Sequence, residues 1–262
     1  MNRSRRIPAR QITALVLLVA VAIVCVMAGQ WQLRRGAARE ALSAAMLAGS
    51  QAAPIVLDTH TREGPDWHTA RVHGTWLPRF TVLLDNRNLK GQPGLWVATP
   101  LQLQGQPGLA ILILRGWLPR PGSASKVPDL TPPQGPVEIH GQILHHVPRL
   151  FDLGSITGDA PPPIHFTNQD ADPPRVQNLA LSDLAQATGL TLLPVILEQA
   201  PVADSGLRQE WPGPSLDASQ NYGYALQWFS FSIIAVLAAL ALVWRTWIRP
   251  KAPTTAHEDR ST

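Results

Sequence analysis

A chain of 262 residues with a formal charge of +4 is long enough for one sizeable domain, alone or with membrane spans. Its one cysteine, Cys25, excludes an intramolecular disulfide and any thiolate metal site built from a single chain. The charge is unevenly placed. Residues 1–40 hold seven Arg and one Glu, residues 41–217 hold eleven basic and fifteen acidic side chains, and residues 218–262 hold four basic and two acidic ones. The basic flanks suit phospholipid headgroups, and the acidic middle argues against a nucleic-acid partner.

In chain order, residues 1–11 read as a cytoplasmic N-terminus and 12–33 as a first transmembrane helix. Residues 11–33 carry no charged side chain. The apolar run from Ile12 to Gly29 is about 27 Å long as a helix, and Trp31 and Leu33 complete a bilayer's thickness. It is longer than the apolar part of a cleaved signal and leads straight into charged helical sequence, so it reads as a retained span. Residues 34–53, rich in Ala, Leu, Glu and Arg, continue that helix.

Residues 54–217 read as a mainly β (α+β) extracytoplasmic domain. Of the 25 prolines, 22 lie between Pro54 and Pro214, which excludes long helices there. Strands are expected at Ala70–Trp76, Phe80–Asp85, Leu95–Leu103, Leu109–Arg115, Val137–Ile143, Ile164–Thr167 and Leu192–Glu198. QGQPG at 104–108 reads as a hairpin turn, and the apolar run Ile111–Leu114 as a central strand. A short helix is expected at Leu181–Thr188, capped by Ser182 and ended by Gly189. The Pro-rich stretches 119–136 and 158–163 read as loops.

A second transmembrane helix is expected over 222–245, with 246–262 as a cytoplasmic tail. Tyr222, Tyr224 and Trp228 open its apolar run and Trp244 and Trp247 close it, as interfacial aromatics do. Arg3, Arg5, Arg6 and Arg10 before the first span, and Arg245, Arg249 and Lys251 after the second, place both termini in the cytoplasm. The middle domain is then periplasmic, on a bacterial inner membrane.

The residue inventory offers little chemistry. His140, His145 and His146 form one close histidine cluster, but a copper carrier would use soft sulfur ligands, and the chain has three Met. Asp170 and Asp172 sit in a Pro-bounded loop, no nucleophile elbow or phosphate loop occurs, and no metal site is expected. The chain reads as a non-enzyme.

Four segments, in order, carry a resemblance. They are GQWQLRR (29–35), WLPRFTVLLDNRNLKGQPGLWVATPL (76–101), ILRGWLPR (113–120) and GYALQWFSFS (223–232). Together the chain resembles the surfeit locus one family of cytochrome c oxidase assembly proteins. The resemblance implies a membrane-bound assembly factor for haem–copper oxidases, aiding haem a insertion or maturation of the core subunit. Its implied partners are the oxidase core subunit, the haem a delivery machinery and the bilayer, and its implied cofactor is transient haem a. Trp31, Tyr224 and Trp228 would then wall a haem site. The family pattern has a histidine three residues before the tyrosine of Tyr-Ala-x-x-Trp-Phe. This chain has Asn221 there, and an amide is a poor ligand for haem iron. The alternative is a ligand-binding or sensor module on a two-helix anchor.

Overall fold

The computed structural model describes residues 9–120, 130–151, 164–166, 172–203, 205–214 and 216–248. Asp170, Thr167, Trp247's side chain and most of the two Pro-rich stretches lie outside the described residues. The chain divides into two compact units: Met1–Leu42 with Ser215–Thr262, and Ser43–Pro214.

The first unit is a pair of helices. Helix α1 runs unbroken through Ala9–Gln51, 43 residues or about 65 Å, so the expected extension is one helix with the first span. The last helix, Ser219–Val243, passes into a π turn at Trp244–Ile248. Both are long and apolar enough to cross a membrane. Their large apolar side chains point outward: Val16, Leu17 and Val24 on α1, and Leu226, Ile233 and Leu237 on the last helix, are exposed. Water would penalise such a surface and lipid would not.

The two helices meet along their small residues. Ala22, Cys25, Gly29 and Gly36 are buried on α1, and Ala225, Ser232, Ala235 and Ala239 on the last helix. Steps of three, four and seven residues keep each set on one face. A Cβ at Gly29 would lie 2.7 Å from the Phe229 ring, so a larger residue there would push that ring aside. Ser232 donates to the Ala22 carbonyl at 3.1 Å, which makes the pair antiparallel together with contacts nearer residue 221.

The second unit is built on one eight-stranded sheet. Its strands are β1 (Ile55–Leu57), β2 (Thr69–Trp76), β3 (Val82–Leu89), β4 (Gln92–Leu103), β5 (Leu109–Pro119), β6 (Pro136–Leu144), β7 (Arg175–Val176) and β8 (Thr191–Gln199). The short helix α2 spans Leu181–Thr188, and the last helix above is α3. The strand order is β1-β2-β6-β8-β5-β4-β3-β7, and β2 also pairs with β4. That pairing closes β2, β6, β8, β5 and β4 into a small barrel. Gly74 permits it: a Cβ there would sit 2.3 Å from the Gln102 carbonyl oxygen.

Side chains inside the barrel form the first core, with Val72, Trp76, Leu101, Ile111, Ile113 and Leu197 among its members. On the opposite face a second core gathers Val82, Trp96, Leu112, Leu114, Trp117 and Ile196 under α2's Leu184. β5 lies between β4 and β8 with all but its last residue buried, as expected of a central strand. The 104–108 turn joins β4 to β5 as expected.

Three expectations are corrected, and two short strands went unread. Pro78–Phe80 forms a 3-10 turn, so β3 starts at Val82 and reaches Leu89 through a bulge. Ile164–Phe166 is not a strand; Ile164 and Phe166 pack on the second core from a loop. Helix α2 spans Leu181–Thr188 as expected, but Ser182 lies inside it and does not cap it; Ala180 holds the cap position and the Ser182 hydroxyl meets Asp183. Strands β1 and β7 were too short to carry a periodic signal. Gly189 does end α2 in the left-handed conformation.

Glu198 is the chemical exception in the core. It shares a row with Val82, Ala98 and Leu114 on one side and Gln142 on the other, so it faces the second core. It is 5% exposed, and its carboxyl has no hydrogen-bond or ion-pair partner among the described residues. Burial pushes its pKa up to about 7 from 4.5. Between those values the folded protein holds a proton that the unfolded chain has released. Stability therefore falls as pH rises through that window and levels off above it. Glu198→Gln should stabilise the detergent-solubilised protein at pH 8 by about 1–3 kcal/mol and change little at pH 4, read by near-ultraviolet circular dichroism during denaturation. A gain equal at both pH values would mean that proton linkage is not its source. Gly74→Ala should cost at least about 2 kcal/mol in the same assay, because the added methyl meets backbone across the barrel's closure.

Candidate functional site

The helix pair is apolar along most of its seam and polar at one place. Asn221, 6% exposed, opens α3 on the buried face. Arg39 Nη1 donates to Asn221 Oδ1 at 2.7 Å and to the Asp217 carbonyl at 2.8 Å. Asn221 Nδ2 donates to Gln32 Oε1 at 2.7 Å. Because a guanidinium only donates, the amide oxygen must face Arg39, which sets the orientation of the whole chain of bonds. Gly36 makes room for it, with a Cβ there only 3.2 Å from the Tyr222 ring and 3.5 Å from Asn221 Cβ. Ser219 N–H donates to Asp217 Oδ1 at 2.9 Å just before α3, which, with the Ser219 hydroxyl, holds that carboxyl below its ordinary value.

The three aromatic residues expected to wall a site are placed differently from one another. Trp31 is 53% exposed and lies beside Arg35, whose guanidinium is 5.7 Å from its ring centroid. Tyr224 is 52% exposed on α3. Trp228 falls at a seam position, three residues after Ala225 and four before Ser232, and meets Phe231 edge-on at 6.2 Å. Among the described residues, no ring contact joins any two of the three.

The motif segments of the β unit converge on a different structure. Trp117 Nε1 donates to the Arg87 carbonyl at 2.8 Å. The Arg87 guanidinium lies 4.6 Å from the Trp96 centroid, and Trp96 meets Trp211 edge-on at 5.4 Å. Gly94 lies under Trp117, where a Cβ would be 2.2 Å from the indole. Gly116 has φ +152°, and a Cβ there would be 2.7 Å from Leu207, so it is a backbone requirement. Arg208 pairs with Trp117 through both backbone bonds and lies over its ring at 5.4 Å. Arg87 donates to the carbonyls of Pro148 and Gln177 at 2.8 and 2.9 Å. It has no ion-pair partner among the described residues and is buried: burial lowers its pKa to about 10, so it stays charged and is solvated by carbonyls and an indole face.

The histidines do not gather. His145 bonds Asp66 at 2.7 Å and His140 lies 3.5 Å from Glu138, and no group of three metal-ligating residues occurs among the described residues.

The model of the SURF1 family matches residues 19–233, running through the apolar part of α1, the entire β unit and the polar start of α3. The chain belongs to the SURF1 family. That family is one of cytochrome oxidase assembly factors, not an enzyme family. The chain is also similar to uncharacterized SURF1-like proteins of Mycobacterium bovis and Mycobacterium tuberculosis. Identity to each is 26% over 236 residues, covering 85% of this chain and 79% of theirs. In this SURF1 chain the motif residues Arg87, Gly94, Trp96, Gly116 and Trp117 form one packed cluster of the second core and its edge.

The described part of this helix pair offers haem iron no histidine ligand. The family's histidine position is Asn221, whose amide is taken at both ends, and no histidine occurs among the described residues of the helix unit. Sequence reading singled out Asn221 but missed Gln32, Arg39 and Asp217. The signal available was the spacing: Gln32 and Arg39 are seven residues apart, on one helical face with buried Gly36 between them. Asn221→Ala and Arg39→Ala should each destabilise the helix pair, and a double-mutant cycle in detergent should return a coupling of about 1 kcal/mol. Additive effects would exclude the bond.

Proposed function

We propose that this SURF1 chain is a membrane-bound assembly factor for a haem–copper oxidase, acting as a protein scaffold during maturation of the oxidase core subunit. The observation that carries the reading is the continuous family match over 19–233, which takes in most of α1, the β unit and the first part of α3. In this reading the helices span a bacterial inner membrane with both termini cytoplasmic. The arginines at 3, 5, 6 and 10, and Arg245, Arg249 and Lys251, support that direction. The β unit is then periplasmic, where its disulfide-free core suffices for stability.

The family's part in haem a insertion takes a particular form here. The Arg39–Asn221–Gln32 chain of bonds occupies the family's histidine position with a structural contact. Haem a therefore reaches the core subunit from the delivery machinery, and this chain holds the subunit in a receptive state. Small-residue seams and lipid-facing apolar side chains support helix-to-helix docking within the bilayer, because tight backbone approach is what stabilises such contacts there.

Deleting the gene should lower mature oxidase, measured by membrane haem a absorption and by cytochrome c oxidation, with recovery on returning the wild-type gene. Unchanged spectra and activity in a strain lacking a second copy would refute the assembly role. The protein purified from membranes should bring down the core subunit without bound haem. Stoichiometric haem a with a low-spin histidine signature would overturn the scaffold form of the proposal and leave the assembly role standing.

A further inference from the structure

The mouth of the barrel carries an open cleft of about 760 Å³, within the range of small-molecule sites. It lies where β2 ends at Trp76, β6 begins near Val137 and β8 ends at Gln199, with residues 200–203, Ser205, Leu207 and Gln209 along one side. Two mostly buried polar side chains in it have few partners among the described residues, and none of their unpaired polar atoms is sealed from the cleft. Arg115 is 7% exposed yet has no carboxylate in ion-pair range among the described residues. Its one hydrogen bond to a described residue runs from Nη1 to the Leu130 carbonyl at 2.6 Å, and its guanidinium lies 5.3 Å from the Trp76 centroid. Gln199 is 8% exposed, and its side-chain amide makes no hydrogen bond to a described residue.

Arg87, the other buried guanidinium, has two carbonyls and an indole face around it and keeps only its Nε unpaired among the described residues. Arg115 has one carbonyl and an indole face, and its remaining donors border the cleft. An uncompensated buried cation is costly, and an incoming anion would remove that cost. Burial lowers the Arg115 pKa only to about 10, so the charge persists at neutral pH. A guanidinium's fork matches a carboxylate, and an amide can add a further donor. The rest of the lining is largely apolar, with Trp76, Val137, Ile139, Pro201 and Val202. Glu138 stands at the rim, where its carboxylate faces Arg71, His73 and His140 at 3.5–3.9 Å.

We infer that this cleft binds a small amphipathic carboxylate, with the carboxylate on Arg115 and Gln199 and the apolar body against Trp76, Val137 and Val202. The site belongs to the β unit and does not depend on the assembly role proposed above. The test is calorimetric titration of the full chain in detergent micelles with 1-naphthoate, against 1-naphthalenemethanol and inorganic phosphate, with empty micelles subtracted. Saturable binding of naphthoate is expected, at least tenfold tighter than either comparison ligand. Arg115→Gln should weaken it at least tenfold, and Arg115→Lys less. Where Arg115→Gln fails to fold, Ala203→Glu decides. It changes an exposed lining residue, should keep the wild-type Tm, and should weaken naphthoate at least threefold by placing a like charge at the cleft. No saturable naphthoate binding, equal binding of the alcohol, phosphate binding as tight as naphthoate, or affinity unchanged in the folded variants would each overturn the inference.

Discussion

Closure of the sheet, β2 against β4, decides where every other part of the β unit can go. Three residue pairs make it: Gly74 with Leu103, Thr75 with Gln102 and Trp76 with Leu101. Once those strands pair, alternate residues of five strands face one another and exclude water from a shared interior. The other faces of β4, β5 and β8 are left apolar and must be covered. Helix α2, Val147, Phe166 and Trp211 cover them, forming the second core. The strands that run past the closed ring, β3 and the start of β4, carry a third cluster around Leu83, Leu95 and Val97. The barrel's mouth falls at Trp76 for the same reason, because β2 ends there.

The family motifs acquire a physical meaning from this layout. Arg87, Gly94, Trp96, Gly116 and Trp117 look, as letters, like docking residues, since arginine and tryptophan dominate binding hot spots. In the fold they brace one another. The bulge in β5 beside Gly116 turns Trp117 so that its indole covers Gly94 and its N–H reaches the Arg87 carbonyl. Arg87 then stacks on Trp96. The segment from Leu207 to Trp211 is pulled in by backbone bonds at Trp117 and by the Trp211 bond to the Gln199 carbonyl, 2.9 Å. These residues therefore build the scaffold of the β unit.

The helix unit follows a different logic, because its surroundings reward packing and penalise unpaired polar groups. Small residues supply the packing. The Arg39–Asn221–Gln32 chain supplies paired polar groups at the point where the apolar seam ends. A histidine at 221 would offer a ring nitrogen to a ligand; the asparagine spends both ends of its amide on α1.

Composition and periodicity alone determined the two apolar helices, the mainly β character of the middle, the hairpin at 104–108, the central place of Ile111–Leu114 and the extent of α2. Each of these rests on local patterns: uninterrupted apolar length, turn residues, or alternation over a few neighbours. Ordered motifs were enough for the family. Ser182 as a cap and a strand at Ile164–Thr167 failed because one-residue shifts and tertiary packing override such short signals. What only the tertiary structure decided was which distant residues share a surface. Barrel closure joins residues near 74 to residues near 102, and α1 meets α3 across 189 positions from Gln32 to Asn221. Arg115 and Arg87 read alike as arginines in motif segments. Their difference, two carbonyls at the guanidinium of one and a single carbonyl with an open cleft beside the other, comes from contacts that no local pattern encodes.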